Sequence, residues 1–189
     1  MPILKNILFS DCFLLSLFFV LTTTALSTED NADGFFSGST KSCPEYYRND
    51  VRVPCFFLGE KCYCFSTQMF LMAWNDAKYY CRLNNYTLIS LETKTEDDLI
   101  HQHIETTELL SELPWFWTSG TYSEDQWKWS TSPLPGEPFS YSNWASTRPI
   151  YNMNGYCTEI NYSTFQGAWV DFPCDFTNYF ICEGNSTFI

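Results

Sequence analysis

The chain changes its hydrophobic rhythm several times. Cys12 to Leu21 is an unbroken apolar run behind a single cation, Lys5. Residues 28–42 are polar and acidic with little to bury, the pattern of a flexible leader. From Cys43 apolar positions become dense. Phe56 to Phe65 predicts a hairpin turning at Gly59-Glu60. Trp74, Ala77 and Cys81 recur at three and four, which places one apolar stripe on a helix from Met69 to Leu83. Leu88 to Leu91 is a short strand candidate. Thr93 followed by Glu96 forms a capping box ahead of Leu99, Ile100, His103 and Ile104, predicting a second helix. After Leu113 the helical period disappears. Short aromatic strands follow at Trp115–Ser119, Gln126–Trp129, Cys157–Asn161, Ala168–Asp171 and Tyr179–Glu183. Between them Thr131 to Gly155 is rich in Pro, Ser, Gly and Asn without periodicity, and loops of that length in a compact domain are usually functional or mobile. Two helices followed by a series of strands predict an α+β fold.

The opening run has the form of a secretory signal at residues 1–27. Lys5 supplies the charged region, and Ala25-Leu26-Ser27 offers small residues for cleavage. Asp11 shortens the apolar stretch well below the ~20 residues needed to cross hydrocarbon, and no second such run exists. The mature chain is therefore expected to be secreted, extracellular and without a membrane span. Nine cysteines become eight when Cys12 is removed. An even number in an exported chain predicts four disulfides rather than thiols or a zinc site. Lys5 and Asp11 leave together, so the net charge stays at −12, which argues against nucleic acid or anionic lipid as partners. Asn85-Tyr-Thr, Asn161-Tyr-Ser and Asn185-Ser-Thr are glycosylation acceptors and predict surface positions. The expected organisation is a signal at 1–27, a leader at 28–42, one domain at 43–184 and a short tail at 185–189. A domain of about 140 residues can hold its own core.

The aromatic and cysteine positions carry a resemblance. In order they are Cys62 to Ser66, a helix with Trp74, Ala77 and Cys81, and Leu88 to Glu92. Phe116-Trp117-Thr118-Ser119-Gly120, Trp127 with Trp129, Asn143-Trp144 and Phe180-Ile181-Cys182-Glu183 follow. This set resembles the C-type lectin-like domain, over Cys43 to Glu183. The resemblance implies two helices on short antiparallel sheets with a long loop region, and disulfides Cys81–Cys182 and Cys157–Cys174. The first would close a loop of about a hundred residues, worth about 4–5 kcal/mol in the chain-entropy model. Cys43, Cys55, Cys62 and Cys64 leave three connectivities open. A hairpin turning at Gly59-Glu60 sets Cys55 opposite Cys64, which favours Cys55–Cys64 with Cys43–Cys62.

The resemblance also implies a way to bind sugar: a loop Ca²⁺ that the sugar hydroxyls help to coordinate. Ca²⁺ takes six to eight oxygens. The family draws them from Glu-Pro-Asn after the Asn-Trp pair, a Glu two residues before the cysteine matched by Cys157, and Asn-Asp after the late Trp. Here those positions hold Arg148-Pro149-Ile150, Gly155 and Val170-Asp171. Of the ligating side chains only Asp171 keeps an oxygen, and Arg148 would repel the metal. Calcium is not expected at this position, and no other cofactor is implied. Pro149 matches the family's commonly cis proline. Glu137-Pro138 precedes Trp144 and belongs to a strand or turn before the site. Asp171 is expected to accept hydrogen bonds from nearby backbone, and Arg148 to be a solvated loop charge.

Other chemistry has little support. His101 and His103 lie two apart on the second helix and face different directions, one expected to be solvated and one partly buried. No metalloprotease motif, phosphate loop or nucleophile elbow occurs, so an enzyme is not expected. Trp74, Trp117, Trp129, Trp144 and Trp169 stand at core positions of the family, while Trp115 and Trp127 are less constrained. Tyr141, Tyr151 and Tyr156 are surface candidates. The expected ligand-binding residues are Tyr141, Arg148, Ile150, Tyr151 and Asn152. The expected partner is an extracellular protein or other non-sugar ligand bound without metal, and the apolar and aromatic anchors favour this. The alternative is a glycan held by stacking and by Arg or Asn hydrogen bonds, as in host defence.

Overall fold

The computed structural model describes residues 41–83, 85–131 and 135–188. The expected signal and nearly all of the expected leader lie outside the described residues. The chain runs β1 (Lys41–Ser42), a 3-10 turn (Tyr47–Asn49), β2 (Cys55–Leu58), β3 (Lys61–Phe65), β4 (Met72–Ala73) and α1 (Trp74–Arg82). It continues through β5 (Thr87–Leu88), α2 (Lys94–Thr106), α3 (Glu108–Ser111), β6 (Trp115–Ser123) and β7 (Gln126–Trp129). After the long loop come β8 (Tyr156–Asn161), β9 (Ala168–Pro173), β10 (Thr177–Asn185) and β11 (Thr187–Phe188). The fold is α+β, as expected.

The main sheet has the order β2-β3-β10-β6-β8-β9, with β4 and β5 on β10 and β7 on β6. All of its pairings are antiparallel except β10 with β6. Side chains alternate across a strand, so β10 serves two cores. Tyr179 and Ile181 pack with Phe65, Ile100, Phe116 and Trp169. Phe180 and Cys182 pack on the other face with Trp74, Ala77, Cys81 and Trp117. Helices seal both cores: α2 brings Ile100 and Ile104 and α3 brings Leu110 to the first, and α1 brings Trp74, Ala77 and Cys81 to the second.

All four disulfides have the expected pairing: Cys43–Cys62, Cys55–Cys64, Cys81–Cys182 and Cys157–Cys174. Cys55 stands directly opposite Cys64 in the β2–β3 ladder, the register that a turn at Gly59-Glu60 imposes. Gly120 in β6 is a packing requirement, because a Cβ there would lie 2.5 Å from Thr158 Oγ1 and 2.8 Å from Phe139.

Several elements differ from expectation. The first helix starts at Trp74 rather than Met69, because Gln68 and Met69 have positive φ and Met72–Ala73 is drawn into pairing with Thr177–Asn178. The Trp74 amide then donates to Cys174 O at 3.0 Å, which satisfies the first free N–H of the helix. Thr93 caps α2 by accepting from the Glu96 amide at 3.2 Å. The Glu96 side chain does not close a full box; it accepts from Lys61 Nζ at 2.8 Å and Tyr63 OH at 2.7 Å. At the ends, Lys41–Ser42 pairs with Thr187–Phe188, so strand pairing runs past both expected domain limits, 43 and 184.

Candidate functional site

The long loop is anchored by its backbone before it reaches the candidate site. The Trp169 amide donates to Asn143 O at 2.7 Å and the Ala145 amide to Trp169 O at 2.9 Å, so Asn143–Ala145 runs beside the outer strand β9. Glu137-Pro138 precedes this anchor and lies against β7, through Trp129 N to Glu137 O at 3.1 Å. Beyond the anchor the chain turns through a cis Arg148-Pro149 bond and presents two consecutive amides to β9.

Those amides meet Asp171. The Ile150 amide donates to Oδ1 at 3.1 Å and the Tyr151 amide to Oδ2 at 2.7 Å, as expected of this residue. Arg148 Nη1 also donates to Oδ1, at 3.0 Å, and to Asp171 O at 3.2 Å. The carboxylate is fully buried and the guanidinium four-fifths so. Arg148 is thus not a solvated loop charge: its partner lies 23 residues away, which local sequence does not display. The family's Ca²⁺ does not fit these residues. One carboxylate remains at the position, its oxygens already accept three donors, and a guanidinium fills the place of a cation. Among the described residues no group of three or more His, Cys, Asp or Glu could hold a metal.

The loop stem is tied to α2 by a second buried carboxylate. Asp97, 1% exposed, accepts from Tyr141 OH at 2.9 Å, Asn143 Nδ2 at 2.9 Å and Trp169 Nε1 at 3.1 Å. His101 Nε2 lies 3.3 Å from it, and the other ring nitrogen is 2.5 Å from Tyr162 OH. Burial and the Asp97 carboxylate push the Tyr141 hydroxyl well above its usual range. Tyr141 is therefore a strut of the loop stem rather than a free surface anchor. Of the two histidines, one expected solvated and one partly buried, His101 is held inside this network. Gly167 closes over it so tightly that a Cβ would approach the imidazole to 2.5 Å. His103 packs on Phe56 and Phe65, and burial lowers its pKa.

Of the five expected ligand-binding residues, the structure leaves Ile150 and Tyr151 open, at 54% and 46% exposure, with Met153 beside them in sequence at 52%. The Tyr151 ring stacks on Tyr156 at 4.7 Å between centroids. Asn152 is exposed, but its Oδ1 accepts from Trp127 Nε1 at 2.8 Å, and Trp127 in turn packs on Trp144 and Phe139. The loop tip thus combines an apolar surface with a stem held by two buried carboxylates.

One acceptor sequence is misplaced. Asn85 and Asn185 are exposed, whereas Asn161 is 7% exposed. Its Nδ2 donates to Glu159 Oε1 at 2.9 Å, and its Oδ1 accepts from the Thr164 amide at 3.0 Å. Both ends of that amide are committed, so a glycan has no place there in the folded chain.

A pocket of about 460 Å³ opens beside this asparagine, lined by Trp115, Glu159, Phe165, Phe172, Phe176 and Asn178 among others, with Arg148 on its wall. Sequence reasoning missed it. The available signal was the period-two placement of Glu159 and Asn161 on one face of β8, two polar residues at the end of a buried strand. Burial pushes the Glu159 carboxyl up to about 7, against the pull of the Asn161 and Asn178 amides and of Arg148.

Residues 71–184, more than half of the chain, match the family profile described as Lectin C-type domain. Human lithostathine-1-alpha is 27% identical over 143 residues, covering 75% of this chain and 78% of that protein. Asialoglycoprotein receptor 2 of Mus musculus is 28% identical over 158 residues, covering 79% of this chain but 44% of the receptor. Among solved structures, the mouse scavenger receptor C-type lectin carbohydrate-recognition domain is 27% identical with a TM-score of 0.58, covering 71% of this chain and 96% of that one. No helix among the described residues is long and apolar enough to cross a membrane.

Proposed function

This chain belongs to the C-type lectin domain family, and from that premise we propose that it is a secreted, non-enzymatic recognition module whose long loop binds a protein partner without calcium. The observation that carries the reading is the engagement of Asp171 by three donors, one of them a buried guanidinium. Chelation of sugar would require its oxygens to leave two backbone amides and a buried guanidinium for a metal that no neighbouring side chain helps to hold. The exposed Ile150, Tyr151 and Met153 supply the apolar and aromatic contact that protein interfaces use at their centres. Glycosylation belongs to Asn85 and Asn185, which the fold leaves exposed.

A glycan ligand is the second reading. The likeness to a carbohydrate-recognition domain and the exposed face of Tyr151 stacked on Tyr156 favour it. A glycan array on disulfide-intact protein, run with calcium and with chelator, separates the two. Protein recognition predicts a blank array under both conditions. Binding that survives chelation would favour the second reading, and binding that chelator abolishes would overturn both. Calorimetric titration with calcium is expected to give no heat of binding in the parent or in Asp171→Ala.

A further inference from the structure

Among the buried carboxylates of the described residues, Glu159 alone has neither a paired cation nor a third donor; Asp97 accepts from Tyr141, Asn143 and Trp169, with His101 Nε2 at 3.3 Å. Asp171 is paired with Arg148 and Glu183 with Lys61, each within 3.0 Å. Glu159, 2% exposed, receives only neutral donors: Asn161 Nδ2 on Oε1 at 2.9 Å and Asn178 Nδ2 on Oε2 at 2.5 Å. An ionised carboxylate has about four lone-pair sites, so one donor on each oxygen leaves room for more. Arg148 is the charged group that acts on it from the surrounding elements, and its Nη1 is already committed to Asp171.

The surroundings of this carboxylate are aromatic. Trp115, Phe165, Phe172 and Phe176 line the same pocket, with Trp115 and Phe176 37% and 55% exposed at its mouth. A volume of about 460 Å³ lies in the range of small-molecule sites. Aromatic faces attract cations, most strongly where water is excluded. A carboxylate at the base of such walls supplies the counter-charge and hydrogen-bond acceptors for an N–H-bearing cation. The chain's net charge of −12 favours the approach of cations from a distance.

We propose that this pocket is a binding site for an organic cation, an alkylammonium or alkylguanidinium group, with Glu159 as its anion and the four aromatic rings as its walls. It is separate from the loop tip and does not depend on the partner proposed for that surface. Asn161 and Asn178 position the carboxylate and fix which lone pairs remain open. Because the empty site holds Glu159 partly protonated near neutral pH, cation binding displaces that proton into solvent.

The test uses the full disulfide-intact protein with n-butylammonium, n-butylguanidinium, butyramide and butyrate as probes, followed by tryptophan fluorescence and calorimetry. The two cations are expected to bind and the neutral and anionic probes not to. Calorimetry near pH 7 in buffers of different ionisation heat should show net proton release on cation binding. Glu159→Gln keeps the shape and should weaken cation binding by about tenfold or more near pH 8, the loss of a charge-assisted hydrogen bond, while its circular dichroism matches the parent. Trp115→Leu should weaken binding less. A short peptide with one lysine distinguishes a protein side chain from a free amine as the source: comparable affinity supports a protein side chain, and binding of the free amine alone supports a small molecule. Tighter binding of butyrate, equal binding in Glu159→Gln, or no cation binding up to roughly 50 mM would overturn the proposal.

Discussion

Two carboxylates on neighbouring strands meet opposite fates. In the β8–β9 ladder Glu159 lies beside Val170, one position from the pair Thr158–Asp171, and strand alternation turns the two acids to opposite faces. Asp171 meets a loop that folds back along the outer strand and delivers a cation and two amides to it. Glu159 accepts hydrogen bonds from two asparagine amides and faces an aromatic pocket in which Arg148 acts on it without pairing. One acid is spent on holding the loop in shape; the other retains unused capacity. A buried carboxylate therefore marks a ligand site only where its own chain has left it incompletely satisfied. By that criterion the inherited metal position is closed, and the pocket behind it is open.

The comparison can be broken most sharply at Asp171. Asp171→Ala strands a buried guanidinium and two backbone amides, and removal of one partner of a buried pair typically costs on the order of 3–5 kcal/mol. Urea unfolding of the disulfide-intact protein measures it. A loss below about 1 kcal/mol would mean that water replaces the carboxylate freely, and that the position is not closed.

Glu159 should behave in the opposite sense. Its folded pKa is raised, so the folded state holds the proton more tightly than the unfolded state, and stability falls as pH climbs from the ordinary carboxylate range through about 7. Glu159→Gln removes that penalty. The variant should match the parent near pH 4 and exceed it by on the order of 2–3 kcal/mol near pH 8. Unfolding curves at the two pH values check this, and equal stability of the two proteins at both would remove the contrast with Asp171.

A smaller effect is expected at the loop tip. Ile150→Ala, Tyr151→Ala and Met153→Ala remove exposed side chains, and each should change stability by no more than about 0.5 kcal/mol. A larger loss would show that the tip is packed rather than offered to a partner. With least effect on the fold, peptide mass spectrometry of the protein produced through a eukaryotic secretory pathway should find Asn85 and Asn185 occupied and Asn161 bare. A glycan on Asn161 would break its bond to Glu159 and remove one of the two amides on which the contrast rests.

How much was legible follows from how far each residue's partner lies along the chain. The hairpin turn at Gly59-Glu60 sets Cys55 against Cys64 through a four-residue geometry, and Thr93 caps the amide three residues on. Both could be read locally. Asp171 was legible in part, since its sequence neighbours showed a lost metal position and left backbone amides as the natural donors. Arg148, Tyr141 and Asn161 were misread as solvent-facing, and neither His101 nor His103 is the solvated histidine that was expected. Arg148 and Tyr141 meet carboxylates 23 and 44 residues away, and His101 meets Tyr162 at a separation of 61. Asn161 is the instructive exception. Its partner Glu159 is two residues away, but its burial depends on the strands and loops around β8.

By itself the sequence determined the family frame, because spacing of cysteines, tryptophans and turn residues is a local and ordered signal that survives wholesale change in the loop. It also determined that the calcium ligands are missing, since a lost oxygen is a matter of residue type. Only the tertiary structure decided what replaced them. Whether a buried charge is neutralised, capped by amides or left with spare lone pairs depends on which distant segments reach it, and desolvation makes that difference decisive. That is why Asp171 and Glu159, twelve residues apart in the chain and on adjacent strands, end as a closed position and an open one.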